Sequence, residues 1–229
     1  MPTSQICHVL REDADLAATL VPETRQAALE ECIAPVMRLN SGHWSGQVTG
    51  FSHGGIGLLV LDGLLVRRVG VDDRYGAELL GDGDLLRPWQ EEDMQSTVPC
   101  TTRWQALQPT RLAVLDVRVT RRIARYPELT TRLVGRALQR SRNLAVNMAI
   151  VHQTRVDARL RILFWHLADR WGKVTRDGIV LPLGLSLATL ADLDARELVR
   201  RVDAGWLLAG ERPAELSELR AGPVPVADG

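Results

Sequence analysis

Gly57-Leu58-Leu59-Val60-Leu61-Asp62-Gly63-Leu64-Leu65-Val66-Arg67-Arg68 decides how this chain folds. It places two apolar runs either side of Asp62-Gly63, a dipeptide that favours a tight turn. Each run is too short for a helix and is rich in residues that suit a strand. Working outward, Leu64 to Val71 ends at Asp72-Asp73, Glu78-Leu79-Leu80 follows, and Gly81-Asp82-Gly83-Asp84 is another turn. Thr101 to Ala106 and Arg111 to Asp116 are two further strands, while the polar, acidic stretch from Trp89 to Pro99 reads as a loop. Short strands with regular turn signals, from Asn40 to Asp116, predict a β-roll or sandwich.

The flanks carry a different period. From Asp13 to Met37, Leu16, Leu20, Ala27, Ala28 and Ile33 recur at helical spacing, interrupted by Pro22. Two short helices are expected there, the second opening at Pro22-Glu23. Val119 to Arg125 reads as helix, and Tyr126-Pro127 opens a new element. From Glu128 to about Gln153 only Gly135 interrupts the pattern, so a helix of about 25 residues, close to 38 Å long, is expected. Leu133, Leu138, Ala145 and Met148 fall near one face of it, and a helix that long usually packs on a partner. They are the candidate dimer interface. Val156 to Gly172 is a second amphipathic helix, with Leu160, Leu163, Phe164 and Leu167 on its apolar side and Gly172 as its stop. Ile179 to Leu183 reads as a strand, Ser186 as the N-cap of a helix over Leu187 to Leu193, and Leu198–Val202 with Trp206–Ala209 as a hairpin. The stretch after Pro213 is rich in Pro, Gly and Glu and is expected to be disordered.

Composition narrows the function. The formal net charge is zero. Between Val119 and Asp177, however, there are 13 Lys+Arg against 4 Asp+Glu, a basic block that either meets an anion such as DNA or simply solvates the long helices. Cys7, Cys32 and Cys100 are scattered, which argues against a disulfide framework and against a Cys-x-x-Cys metal site. His8, His43, His53, His152 and His166 form no paired helical metal motif. No nucleophile, base and oxyanion donor are arranged together, so no catalytic residues and no enzyme activity are expected. No apolar run reaches the roughly 18 residues of a membrane span. Met1-Pro2-Thr3-Ser4-Gln5 lacks the basic-then-apolar pattern of a leader, so the expected location is cytoplasmic.

The serial order of two helices, β-roll, long helix, helix, strand, helix and hairpin resembles the Crp/Fnr family of bacterial transcription regulators. Five stretches carry the resemblance over roughly residues 10 to 210. Gly57 to Arg68 is similar to the family's roll strands, and Gly81 to Leu86 to the turn before its effector pocket. Leu107 to Asp116 is similar to the last roll strand, and Arg159 to Ala168 to the helix opening the DNA-binding domain. Leu181-Pro182-Leu183 with Ser186 to Ala191 resembles the strand and first helix of the helix-turn-helix. The implied fold is α+β: a cyclic-nucleotide-binding-type β-roll over 1–118, a dimerisation helix over 119–155, a winged helix-turn-helix over 156–212 and a tail over 213–229. The implied partners are DNA, a second copy of the chain and a small-molecule effector.

Two departures qualify this. Cyclic-nucleotide binders of the family carry a Gly-Glu pair and, later, Arg followed by Ser or Thr, which hold ribose and phosphate. Here the stretch reads Gly83-Asp84-Leu85-Leu86-Arg87-Pro88-Trp89-Gln90, then Val98-Pro99-Cys100. The guanidinium that a phosphate needs is not in place. No cyclic AMP binding of the usual kind is expected, no cofactor is implied, and the effector is unassigned. Arg87, Trp89 and Trp104 are candidates for a different pocket, against the plainer reading of both indoles as packing residues. In the DNA reader, only Asp194-Ala195-Arg196-Glu197 lies between Leu193 and Leu198, so the turn glycine and most of the recognition helix are missing. Ser186, Thr189, Arg196, Arg200 and Arg201 are the candidate DNA contacts, and the arginines suit phosphates rather than base edges. Two readings stay open: a DNA-binding regulator, or a sensor or dimerisation partner that has lost specific DNA reading.

Overall fold

The computed structural model describes residues 5–48, 55–72, 74–89, 98–181, 199–203 and 205–208. They fall into two compact units, Met1–Leu144 and Ala145–Gly229, and the division lies inside the long helix.

In the first unit, β1 (Ile6–His8) leads into three short helices, α1 (Val9–Glu12), α2 (Ala14–Ala17) and α3 (Pro22–Glu31). Among the described residues, eight strands follow: β2 (Ile33–Leu39), β3 (Gly42–Trp44), β4 (Gly57–Asp62), β5 (Leu64–Val71), β6 (Arg74–Gly81), β7 (Leu85–Leu86), β8 (Thr101–Ala106) and β9 (Thr110–Leu115). They form two antiparallel sheets, ordered β1-β2-β9-β4-β7 and β3-β8-β5-β6. The helix α4 (Val117–Ile123) and the long helix α5 (Pro127–Val151) come next.

The apolar runs of β4 and β9 are explained by burial on both faces. Leu58, Val60, Leu112 and Val114 point into a core shared with Leu65, Leu80, Ala106 and Trp104 of the second sheet. Leu59, Ala113 and Leu115 point the other way, into a core covered by Leu10, Leu16, Ile123, Leu129 and Leu133. A strand covered on both sides has no polar face to alternate with. Each fully buried leucine contributes roughly 1.5–3 kcal/mol. Gly63 makes the β4–β5 break: its φ is +106°, and a Cβ there would lie 2.5 Å from the Thr110 hydroxyl, so no other residue fits without displacement. Asp116 caps α4, its carboxylate accepting from the Arg118 and Val119 amides at 2.9 Å each.

One expectation is overturned. The helical period read from Asp13 to Met37 ends at Glu31, and Ile33–Leu39 is strand β2, hydrogen-bonded between β1 and β9. The register Val36↔Ala113 and Leu39↔Thr110 buries Ala34 and Val36 on alternate positions. A two-residue period had been hidden because Ile33 also fits the helical stripe. β1, β3 and β7 are short additions that the sequence reading did not anticipate.

The second unit carries α6 (Val156–Trp171), which ends where the Gly172 amide donates to the Ala168 carbonyl at 2.8 Å. A four-stranded antiparallel sheet, β10-β11-β13-β12, is built from β10 (Lys173–Thr175), β11 (Gly178–Leu181), β12 (Val199–Val202) and β13 (Gly205–Leu208). Phe164 and Leu167 of α6, and Leu181 and Trp206 of the sheet, are buried. The β12–β13 hairpin, with Val202 opposite Gly205, matches the expected one to within a residue or two. Among the described residues, no helix is long and apolar enough to cross a membrane.

Candidate effector site and the two faces of the long helix

The β-sheet register assembles a row across the inner face of the second sheet. Trp44 of β3 lies opposite Trp104 of β8, Trp104 opposite Arg67 of β5, and Arg67 opposite Glu78 of β6. The two indoles meet edge to face with centroids 5.5 Å apart. The Arg67 guanidinium lies 5.9 Å from the Trp104 ring, and its Nη1 lies 3.4 Å from the Glu78 carboxylate. One row thus passes from aromatic to cation to anion inside the roll.

The long helix completes it. Arg140 Nε donates to Glu78 Oε1 at 2.6 Å, Nη2 to Oε2 at 2.8 Å, and Nη1 to the Leu85 carbonyl at 3.2 Å. The side chains of Arg140 and Glu78 are only 18% and 8% exposed. Such a pair gains its full Coulombic value only because the fork matches both carboxylate oxygens and a carbonyl takes a remaining donor. One turn earlier, Arg136 donates to Asp13 and Asp15, both at 2.9 Å, and a further turn back Arg132 reaches Asp15 at 2.7 Å. Burial works against the charge on Arg136, but the bonds to Asp13 and Asp15 hold its pKa above the ordinary value. Asp13 also caps α2, accepting from the Leu16 amide at 2.8 Å. Gly83 (φ +82°) turns the Gly81–Asp84 segment just above the Arg136 guanidinium, while the Asp84 carboxylate is engaged by the Gly81 amide at 2.8 Å.

The opposite face of α5 is bare. Val134, Leu138, Ser141, Ala145 and Met148 follow one another at intervals of four and three, the spacing of a coiled-coil seam, and all are exposed. Leu138 and Met148 are 67% and 66% exposed. Of the four residues expected at the dimer seam, Leu138, Ala145 and Met148 lie on this stripe. Leu133 does not: it is 1% exposed and belongs to the core behind the first sheet, because it is a residue off the seam's register.

The expected pocket residues are also divided. Trp89 and Trp104 are both buried in the inter-sheet core, whereas Arg87 is exposed. The sequence reading missed Arg67, Glu78 and Arg140. For Arg67 and Glu78 the signal was a charge at an inward position of a strand: Arg67 follows Leu65 at a spacing of two, and Glu78 precedes Leu80 likewise. Of the candidate DNA contacts, Ser186, Thr189 and Arg196 lie outside the described residues, as do the missing-turn segment and the stretch after Pro213. Arg200 and Arg201 stand in β12 opposite Leu207 and Trp206. Among the described residues there is no cluster of three or more His, Cys, Asp or Glu positioned to hold a metal.

Neither a family model nor a curated protein matches the sequence. Solved structures do match. A cyclic nucleotide-binding domain containing protein from Listeria monocytogenes EGD-e superposes with a TM-score of 0.58 at 13% identity, covering 85% of this chain and 96% of that one. A mutant of CooA from Carboxydothermus hydrogenoformans gives 0.52 at 17% identity over 82% and 88%. FixK2 from Bradyrhizobium japonicum gives 0.51 at 15% identity over 83% and 99%.

Proposed function

We propose, on the premise that the chain has the fold of the Crp/Fnr regulators, that it is a dimeric transcription regulator controlled by an effector in its β-roll. The observation that carries this reading is the long helix. It leaves the roll with an apolar seam of coiled-coil spacing exposed on one side. A stripe of that kind on a helix of 25 residues calls for a second helix, and an identical copy supplies the same seam by two-fold symmetry. An effector in the roll would alter how the two helices pack, and so how far apart the two C-terminal modules stand. The effector is not cyclic AMP bound in the usual way: Asp84 stands where the Gly-Glu pair would supply its carboxylate, and its side chain closes a turn. No catalytic role is proposed. Light scattering should give the mass of two chains at micromolar concentration; a monomer would remove the homodimer.

The DNA arm is tested by fluorescence anisotropy on labelled duplex from the gene's own upstream region, against scrambled duplex, at two salt concentrations. Preference for the upstream region that survives higher salt supports a regulator that reads sequence. Weak binding that ignores sequence and vanishes with salt means phosphate contacts alone. A second reading is favoured by one observation, the four residues Asp194–Glu197 where a turn and recognition helix should fit. On that reading the chain is a sensor or dimerisation partner without specific DNA binding.

A further inference from the structure

We propose that the Glu78–Arg140 pair is the latch through which the β-roll holds the long helix, and that making or breaking it carries the state of the roll to the dimer seam. The inference rests on the dimeric-regulator reading above and names the element by which that regulator is controlled.

The argument starts from separation in sequence. Glu78 and Arg140 are 62 residues apart, yet their side chains meet through two bonds of 2.6 and 2.8 Å with little access to water. Apolar contact would hold a helix on a roll without demanding one alignment. A bidentate guanidinium–carboxylate pair demands one, and it fails steeply when displaced. Arg140 also donates to the Leu85 carbonyl on β7, so the same side chain senses two strands of different sheets. On the roll side, Glu78 ends the row that begins at the Trp44–Trp104 pair and passes through Arg67. A ligand entering that row changes what Glu78 faces. On the helix side, the neighbouring positions Leu138 and Ser141 belong to the exposed seam. A shift of Arg140 therefore turns the seam positions beside it, Leu138 and Ser141, since they share its helical turn. The Asp13–Arg136–Asp15 cluster one turn away pins the helix to the N-terminal segment instead and is in no row with the tryptophans.

The test uses the full chain with Glu78→Gln, Arg140→Met and the apolar pair Glu78→Leu/Arg140→Met. Glutamine keeps the shape and removes the charge. Amide hydrogen exchange over residues 136–144 and the dimer dissociation constant are both measured. Losing one partner of a buried pair should speed exchange in that segment by about a hundredfold. The dissociation constant should move by at least about tenfold, because the seam loses its alignment. Unchanged exchange overturns the latch. Faster exchange with an unchanged dissociation constant overturns its coupling to the dimer and leaves the pair purely structural. Should the single variants fail to fold, the apolar pair decides: it should fold, since well-packed apolar replacements are tolerated, and a wild-type dissociation constant in it overturns the coupling. A wild-type chain that stays monomeric sinks the dimer reading and with it the coupling, while the exchange measurement still reports whether the pair holds the helix.

Discussion

The two faces of the long helix use different chemistry over the same turns. Towards the roll it presents Leu129 and Leu133 to a closed core, then Arg136 and Arg140 to acidic groups. Away from the roll it presents Val134, Leu138, Ser141, Ala145 and Met148 to solvent. On the sequence both faces hold leucines at helical spacing, and nothing local separates them. What separates them is remote: Asp13 is 123 residues from Arg136, and Glu78 is 62 from Arg140. The inner face is satisfied within the chain, while the outer face stays exposed, and only the structure shows which leucine belongs to which.

The sharpest way to break that contrast is to truncate one leucine on each face. Leu133→Ala should cost about 2–5 kcal/mol, since it opens a cavity in a closed core. Leu138→Ala should leave the monomer within about 0.5 kcal/mol of the parent. Urea melts at a concentration where the chain is monomeric compare the two, and equal losses would show that Leu138 is packed too. A smaller effect on folding but a large one on assembly is expected of Leu138→Asp. Sedimentation equilibrium should find dimers reduced to monomers with the thermal midpoint of the monomer kept; persistent dimers would move the seam elsewhere.

The mildest test concerns acid. Hydrogen bonds from Arg132 and then Arg136 hold the Asp15 carboxyl below its ordinary value of 3.8. The same happens at Glu12, held below 4.5 by its bond from Arg111. A carboxylate depressed in the folded state stabilises it fully above the unfolded value, and that help is lost as pH falls through the folded one. Stability should therefore decline below about pH 4. Asp15→Asn should flatten part of that acid limb while changing little at pH 7. An unaltered limb would show that these partly exposed bridges contribute nothing measurable.

How much was legible follows from the range of each interaction. Strands β4, β5, β8 and β9, the 25-residue helix α5 and helix α6 follow from local pattern and appear within a residue or two of their expected bounds, with β6 longer than expected. Strand β2 reads as helix from the sequence because its register is set by β9, over 70 residues on in the chain. The candidate site was legible only in its aromatic half. Trp104 belongs to the inner row, but Arg67, Glu78 and Arg140 come together through sheet register and helix docking, which no spacing encodes. Arg87 is suggested by its neighbours in sequence, but it follows the end of β7 and is exposed.

The cysteines, scattered in the sequence, acquire an order in the fold. Cys7 and Cys32 are buried, and burial raises both thiols, Cys32 to about 11, while Cys100 is exposed. Thiolates react and buried thiols do not. A maleimide dye should therefore attach at one place only, next to the first residue of the strand that bears Trp104. The protein carries its own reporter position, ready for fluorescence work on the inner row without an engineered cysteine.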